Sequence, residues 1–309
     1  MPQTEPIQAN YADYLSALAQ HFHAARRQKT ETPGAKLAGP HKAQGGYSTT
    51  RHSTFAPFEH FAVYSGGPEL LVLPPGKFLM GAHPQDRDAS FDEKPRNAVE
   101  IKQAFALGIL PITFEQWDAA VADGGVRHKP EDATWGRWQR PVINVSWHDA
   151  EEYLGWLKRK TGLDFRLPTE SEWEYACWAG SPQATSYPWG DDLGERQLEH
   201  YAWFFANSNN RSQPVGQKPA NDWGLFDMLG NVQEWVHDHY RPNYDEHPAD
   251  QTPWLSTLRS ASRVLRGGSW LDNPRAVRPT ARQRWQPDHR SYNSGFRIAL
   301  TVNLATGNL

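Results

Sequence analysis

The chain has 309 residues, enough for one large domain or two ordinary ones, and its 38% hydrophobic and 22% charged residues are globular rather than disordered composition. A net charge of -3 gives no bulk pull toward nucleic acid or membrane, so neither is expected as a partner. The single cysteine, Cys177, excludes an intrachain disulfide and a cysteine-based zinc site. No stretch approaches the roughly 18 apolar residues that span a bilayer. The first residues lack the basic-then-apolar pattern of a signal peptide, so a cytoplasmic location is expected.

Residues 1–57 differ from the rest. Tyr11, Tyr14, Leu15, Leu18, Ala19, Phe22 and Ala25 recur at helical spacing and form an amphipathic stripe. The polar, glycine- and proline-containing stretch 29–53 then reads as a flexible linker. The stripe can pack on its own domain or dock on a partner. A second unit, 58–309, is dense with element signals. Residues 69–73 and 77–80 flank Pro74-Pro75-Gly76 and read as a β-hairpin, and 98–102 alternates as a short strand. Thr113-Phe-Glu-Gln116, Ser146-Trp-His-Asp149 and Thr169-Glu-Ser-Glu172 each set a hydroxyl three residues before an acceptor that reaches back to the cap, so three helices start there. The second runs to about Lys160 and stops near Gly162; the third stops near Gly180, both glycines suiting a left-handed cap. Beyond Gly180 the chain is turn-rich, with strands again at 263–266 and 296–301. Few helices and short, scattered strands make the fold class α+β, and most of the fourteen tryptophans are expected in its core.

Six stretches in this order carry a resemblance. They are Leu73-Pro-Pro-Gly-Lys-Phe-Leu-Met-Gly81, Arg140-Pro-Val-Ile-Asn-Val-Ser-Trp147, Arg166-Leu-Pro-Thr-Glu-Ser-Glu-Trp-Glu-Tyr-Ala176, Gly224-Leu-Phe-Asp-Met-Leu-Gly-Asn-Val-Gln-Glu-Trp235, Arg263-Val-Leu-Arg-Gly-Gly-Ser-Trp270 and Gly295-Phe-Arg297. Together they resemble the formylglycine-generating enzyme (sulfatase-modifying factor) family over residues 69–300. The resemblance implies that family's C-type-lectin-like fold, loop-rich with short strands and few helices. The motifs make physical sense: Gly267-Gly268 frees the backbone to bend after a strand and present Ser269 onward at a surface. In Leu229-Gly-Asn-Val-Gln-Glu234 a tight Gly-Asn turn can aim carbonyls toward a carboxylate, oxygen geometry that suits calcium. The resemblance implies a structural Ca2+ held by the carbonyls of Leu229, Gly230 and Val232 and the carboxylate of Glu234. Of a second calcium site only Asn207 is matched.

The family's enzymes hold Cu(I) between two cysteines, since soft thiolates select that ion. The matching positions here are Asp272 and Val277, so no copper is expected and the copper-oxidase chemistry is lost. Cys177 belongs to the third helix and reads as a small buried residue. The iron-dependent sulfoxide synthases that share this domain carry a His-x-x-x-His-x-Glu motif; His21-Phe-His23 and His237-Asp-His239 offer no evident third ligand. No nucleophile-elbow pattern supports a Ser/His/Asp hydrolase.

Between Arg259 and Arg297 stand nine arginines, no lysine and two acids, Asp272 and Asp288. Arginine forks recognise carboxylate, sulfate or phosphate, and can equally pair inside the domain. Aromatic residues interleave with them, a pattern similar to cysteine-less family members that bind ligands there, including the variable proteins of diversity-generating retroelements. The expected ligand contacts are Trp270, Asp272, Asn273, Arg275, Gln283, Trp285, Gln286, His289, Ser291, Tyr292 and Asn293, facing a protein or small-molecule ligand. Two functions stand open, with a docking or regulatory role for the N-terminal stripe as a lesser one. One is a non-catalytic recognition domain. The other is a cysteine-less oxidoreductase of the same family, similar to the pyoverdine-maturation oxidase, using Glu, His or Asp for acid–base work.

Overall fold

Strands covered on both faces read as unbroken apolar runs, and two such runs anchor the first sheet. In the computed structural model, which describes residues 54–304 except 182, 184, 191–195 and 259, Leu70 to Leu73 and Phe105 to Gly108 are all buried. They form β2 (Glu69–Leu73) and β5 (Phe105–Gly108) of an antiparallel sheet completed by β1 (His60–Ala62) and β10 (Ala299–Thr301), in the order β1-β2-β5-β10. The expected N-terminal helix, its linker and the His21-Phe-His23 pair lie outside the described residues.

A ribbon of β3 (Gly76–Met80) and β4 (Asn97–Ile101) stands apart. The expected hairpin is therefore corrected: both strands exist, but β2 pairs with β1 and β5 while β3 pairs with β4. Pro74 and Pro75 hold extended backbone without a donor and carry the chain from one sheet to the other instead of folding it back. The third sheet has the order β8-β7-β6-β9, made by β6 (Gln233–His239), β7 (Arg263–Arg266), β8 (Arg282–Trp285) and β9 (Ser294–Phe296), with β9 parallel to β6. The single strand expected at 296–301 is two, because the chain passes from the third sheet to the first across Arg297 and Ile298.

All three expected helix starts close as reciprocal capping boxes. They open α1 (Phe114–Ala122), α2 (Trp147–Thr161) and α3 (Glu170–Trp178). Gly162 ends α2 in the left-handed region at φ 76°, while α3 turns one residue earlier than expected, at Ala179, φ 48°. A short α4 (Arg196–Tyr201) lies in the turn-rich stretch. Eight of the fourteen tryptophans are buried, Trp117, Trp173 and Trp235 completely, and Trp117 stacks on Tyr153 with centroids 5.6 Å apart. Among the described residues no helix is long and apolar enough to cross a membrane.

All nine residues of α3 are buried, three of them glutamates. Arginines make that tolerable, since buried charge persists where it is paired and fully hydrogen-bonded. Glu170 takes the fork of Arg282 at 2.7 and 3.0 Å, Glu172 that of Arg166 at 2.6 and 2.7 Å, and Glu174 pairs with Arg266. The fourth pair joins the sheets. Arg297 donates from Nε and Nη2 to the two oxygens of Glu234 on β6 at 2.6 and 2.8 Å. It also donates to the carbonyls of Gly108 on β5 and of Phe226, both at 2.9 Å, and the Trp173 indole N–H closes on Glu234 at 2.9 Å.

Arg297→Met strands the Glu234 carboxylate, and breaking a buried pair from one side costs about 3–5 kcal/mol. Urea unfolding is expected to show a loss of that order, partly recovered in Arg297→Met/Glu234→Leu. A single-variant loss under about 1 kcal/mol would contradict the pairing.

Candidate functional site

The glycine bend builds the site. Gly267 (φ 90°) and Gly268 (φ 66°) lie in the left-handed region, and a Cβ on them would meet the carbonyls of Met228 at 2.9 Å and Ala276 at 2.5 Å. Only glycine lets β7 end in so tight an approach. The bend is pinned by Gly230 N–H to the Gly267 carbonyl (2.9 Å) and Trp270 N–H to the Asn231 carbonyl (3.0 Å).

Beyond the bend a polar cluster closes on itself. Ser269 Oγ donates to Asp272 at 2.5 Å, Asn293 Nδ2 donates to Ser269 Oγ at 3.2 Å, and Ser291 Oγ donates to Asn293 at 2.5 Å. Burial pushes the Asp272 carboxyl above the usual carboxylate range, with the Ser269 hydrogen bonds opposing it. Over the cluster stand three aromatic rings. Trp270 meets Trp135 edge-on at 5.2 Å and Tyr292 at 5.6 Å, and its indole N–H donates to the Tyr292 carbonyl. Tyr292 remains 46% exposed, and Phe205, whose N–H bonds the Asp272 carbonyl, is 60% exposed, so apolar surface lies beside the cluster.

Trp135 was not foreseen in this role. It rides a loop whose Ala133, Thr134 and Trp138 all have positive φ, at 54°, 64° and 52°, a costly conformation for β-branched threonine. Arg137 holds the loop, donating to Asp118 from Nε at 2.8 Å and to the Pro130 carbonyl at 2.8 Å. Nothing in the local sequence ties Trp135 to Trp270; only the fold does.

Of the eleven expected contacts, Trp270, Asp272, Ser291, Tyr292 and Asn293 converge. Asn273 precedes a short 3-10 turn at Pro274–Ala276, and Arg275 donates to the Asp88 carbonyl at 3.0 Å. Gln283, Trp285, Gln286 and His289 form a separate patch on and after β8. There Trp285 stacks on His289 at 4.2 Å and Gln286 donates to Ser262. Gln283 and Trp285 stand on β8, at the opposite edge of the four-stranded sheet from β9, and His289, two residues before Ser291, links the two groups into which the expected contacts fall. The arginine reading is corrected. Arg266, Arg278, Arg282 and Arg297 are buried in internal ion pairs, and Arg290 turns its Nε and Nη2 to Asp149 while staying half-exposed.

Metal expectations meet the same pairing. Glu234, expected to hold calcium with the Leu229, Gly230 and Val232 carbonyls, accepts Arg297 at both oxygens and Trp173 at Oε2. Asn207 ties its own loop, accepting from Phe204 N–H and donating to the Glu199 and Ala202 carbonyls. Val277 is fully buried, and so is Cys177, whose thiol burial pushes far up. Glu170, Asp238 and His247 come within 4.8 Å of one another. Glu170 is engaged by Arg282, and Asp238 accepts the Glu170 and Trp254 N–H groups, so the donor set is poor for a cation.

With this geometry in view, comparison with known proteins decides the family. Residues 55–302 match the Sulfatase-modifying factor enzyme 1-like domain. The chain belongs to that family. It is 32% identical over 254 residues to serine/threonine-protein kinase pkn1 of Chlamydia caviae, a match covering 76% of this chain but only 38% of that protein. It is 30% identical over 290 residues to the inactive C-alpha-formylglycine-generating enzyme 2 of Mus musculus, covering 75% of this chain and 85% of that one. Among solved structures, PvdO from Pseudomonas aeruginosa superposes with a TM-score of 0.74 at 29% identity, over 81% of this chain and 100% of that chain. The Treponema denticola variable protein 1 gives 0.63 at 25% identity, over 79% and 98%. The α+β fold is thus the C-type-lectin-like fold of the formylglycine-generating enzyme type.

His237 on β6 supplies a pH test. Burial, then Arg263 and Arg166, push its imidazolium down to about 4, and its Nδ1 has no partner. The unfolded chain takes up that proton near pH 6.5 and the folded chain only near 4, so stability falls as pH drops through this window. His237→Phe is expected to flatten that fall in urea midpoints measured at pH 7.5 and 5.0; parallel pH dependence in both proteins would contradict it.

Proposed function

We propose that this protein is a non-catalytic recognition protein that binds a protein or small-molecule ligand in the cleft of Trp135, Trp270 and Tyr292 above Ser269, Asp272 and Asn293. One observation carries the reading. Where the family's copper enzymes need two thiolates, Asp272 is tied to Ser269 and Val277 is buried, while beside them Tyr292 is exposed and Trp135 half-buried over the buried Trp270. Rigid aromatic rings around a satisfied polar floor are what binding hot spots are made of. The relative named as inactive and the structural likeness to a variable protein support the same direction. Four arginines of the C-terminal segment, Arg266, Arg278, Arg282 and Arg297, are buried in internal pairs, so the ligand is recognised chiefly through apolar surface and neutral hydrogen bonds.

A second reading has its own support. Burial that raises a carboxyl's proton affinity suits it to acid–base work, and Asp272 is a carboxyl of that kind beside the exposed Tyr292 ring. Likeness to PvdO over the whole of that chain favours the cysteine-less oxidoreductase as this alternative.

A random peptide library selected on the immobilised full chain separates these. Tyr292→Ala and Trp135→Ala are each expected to weaken the selected peptides about 30-fold, the size of a hot-spot loss. Asp272→Asn, which keeps the acceptor for Ser269, is expected to change affinity less than threefold. Unchanged affinity in both aromatic variants would reject the cleft. A separate assay concerns copper. The purified chain is expected neither to bind Cu(I) stoichiometrically nor to convert a cysteine peptide to an aldehyde; either result would overturn the loss of copper chemistry.

A further inference from the structure

A second concavity shares no residue with the aromatic cleft. It has a volume of about 130 Å³ and is walled by Trp189 and Tyr201, floored by Cys177, Leu225 and Met228, and edged by Asp227. An apolar cavity of about 150 Å³ holds one benzene ring, so this space fits a single six-membered ring.

Two polar groups give it direction. Trp189 is sandwiched between Tyr187, at 5.1 Å and 8°, and Tyr201, at 4.6 Å and 11°. With both faces covered, the indole offers the cavity its edge. Its Nε1–H is buried without a hydrogen-bond partner, a cost that an acceptor bound against this lining residue would remove. Asp227 is 4% exposed and is held by Gly216 N–H to Oδ2 at 2.7 Å and by Asn231 Nδ2 to Oδ1 at 3.3 Å. Each carboxylate oxygen therefore keeps a lone pair for a further donor. Burial raises this carboxyl to about 6, which marks how poorly solvent reaches it.

We infer that this cavity binds a small planar aromatic ring carrying both a hydrogen-bond acceptor and a donor, such as a primary aromatic amide or an amino-heterocycle. Its acceptor takes the Trp189 N–H, its donor meets Asp227, and its ring packs on Leu225 and Met228. Water alone satisfies the polar groups but leaves the apolar floor wet. A saturated ring lacks the flat face for packing on Leu225 and Met228, and an aromatic acid brings a second negative charge to Asp227.

The probe is benzamide, titrated into the full chain labelled at methionine methyl carbons. The chain has three methionines, so Met228 reports the cavity and Met80, buried at the end of β3, serves as the internal control. Benzamide is expected to shift the Met228 signal saturably while leaving Met80 in place, and cyclohexanecarboxamide and benzoate to do so at least tenfold more weakly. Trp189→Phe keeps the aromatic stack, removes the N–H and is expected to weaken benzamide about tenfold, one hydrogen bond's worth. Ser181→Phe, at the partly exposed rim, is expected to abolish the shift. No saturable Met228 shift in the wild-type chain would overturn the inference whether or not either variant folds. Equal response to all three probes would overturn it too.

Discussion

A single buried clasp between Glu234 and Arg297 organises this domain. The pair is almost wholly removed from water, and each desolvated charge is tolerable only because the other sits in a two-bond fork against it. Arg297 spends its remaining donors on carbonyls of β5 and of the loop before Leu229, so the first and third sheets share one guanidinium. Trp173 adds α3 to the same point. A side chain that bridges two sheets, a helix and a loop cannot also serve a ligand.

The same logic runs through the C-terminal segment. Its arginines look like a ligand surface in a linear reading, yet each carboxylate that receives them comes from far away in the chain. Glu93 and Asp86 receive Arg278, Glu170 receives Arg282, and Asp149 receives Arg290. Long-range pairing of this kind stiffens a loop-rich fold that has few regular hydrogen-bond ladders to rely on. What these pairs leave exposed beside the glycine bend is aromatic: Tyr292 and Phe205 next to a polar cluster that bonds within itself.

Local chemistry was the legible part. Helix starts at Thr113, Ser146 and Thr169 could be named because capping is decided within four residues, and Gly267-Gly268 because the backbone there needs a residue without Cβ. Family resemblance carried the fold. Pairing was harder to see: β2 and β3 are correct strands with partners that no local pattern announces, and β6 is buried at nearly every position, so it shows no alternation. Half of the site was visible in residues 270–293. The rest was not, because Trp135 and Phe205 reach Trp270 and Asp272 only through tertiary folding. The Arg297 partner of Glu234 was hidden for the same reason, lying 63 residues on.

Native-state hydrogen exchange tests the clasp most directly. If Arg297 makes one cooperative unit of the two sheets, the amides of Gly108 in β5 and Gln233 in β6, each in a backbone hydrogen bond, exchange with the same opening free energy, equal to that of global unfolding. Exchange of either sheet well before the other, with opening energies apart by more than about 2 kcal/mol, would show that the sheets open independently and that the clasp does not hold them together.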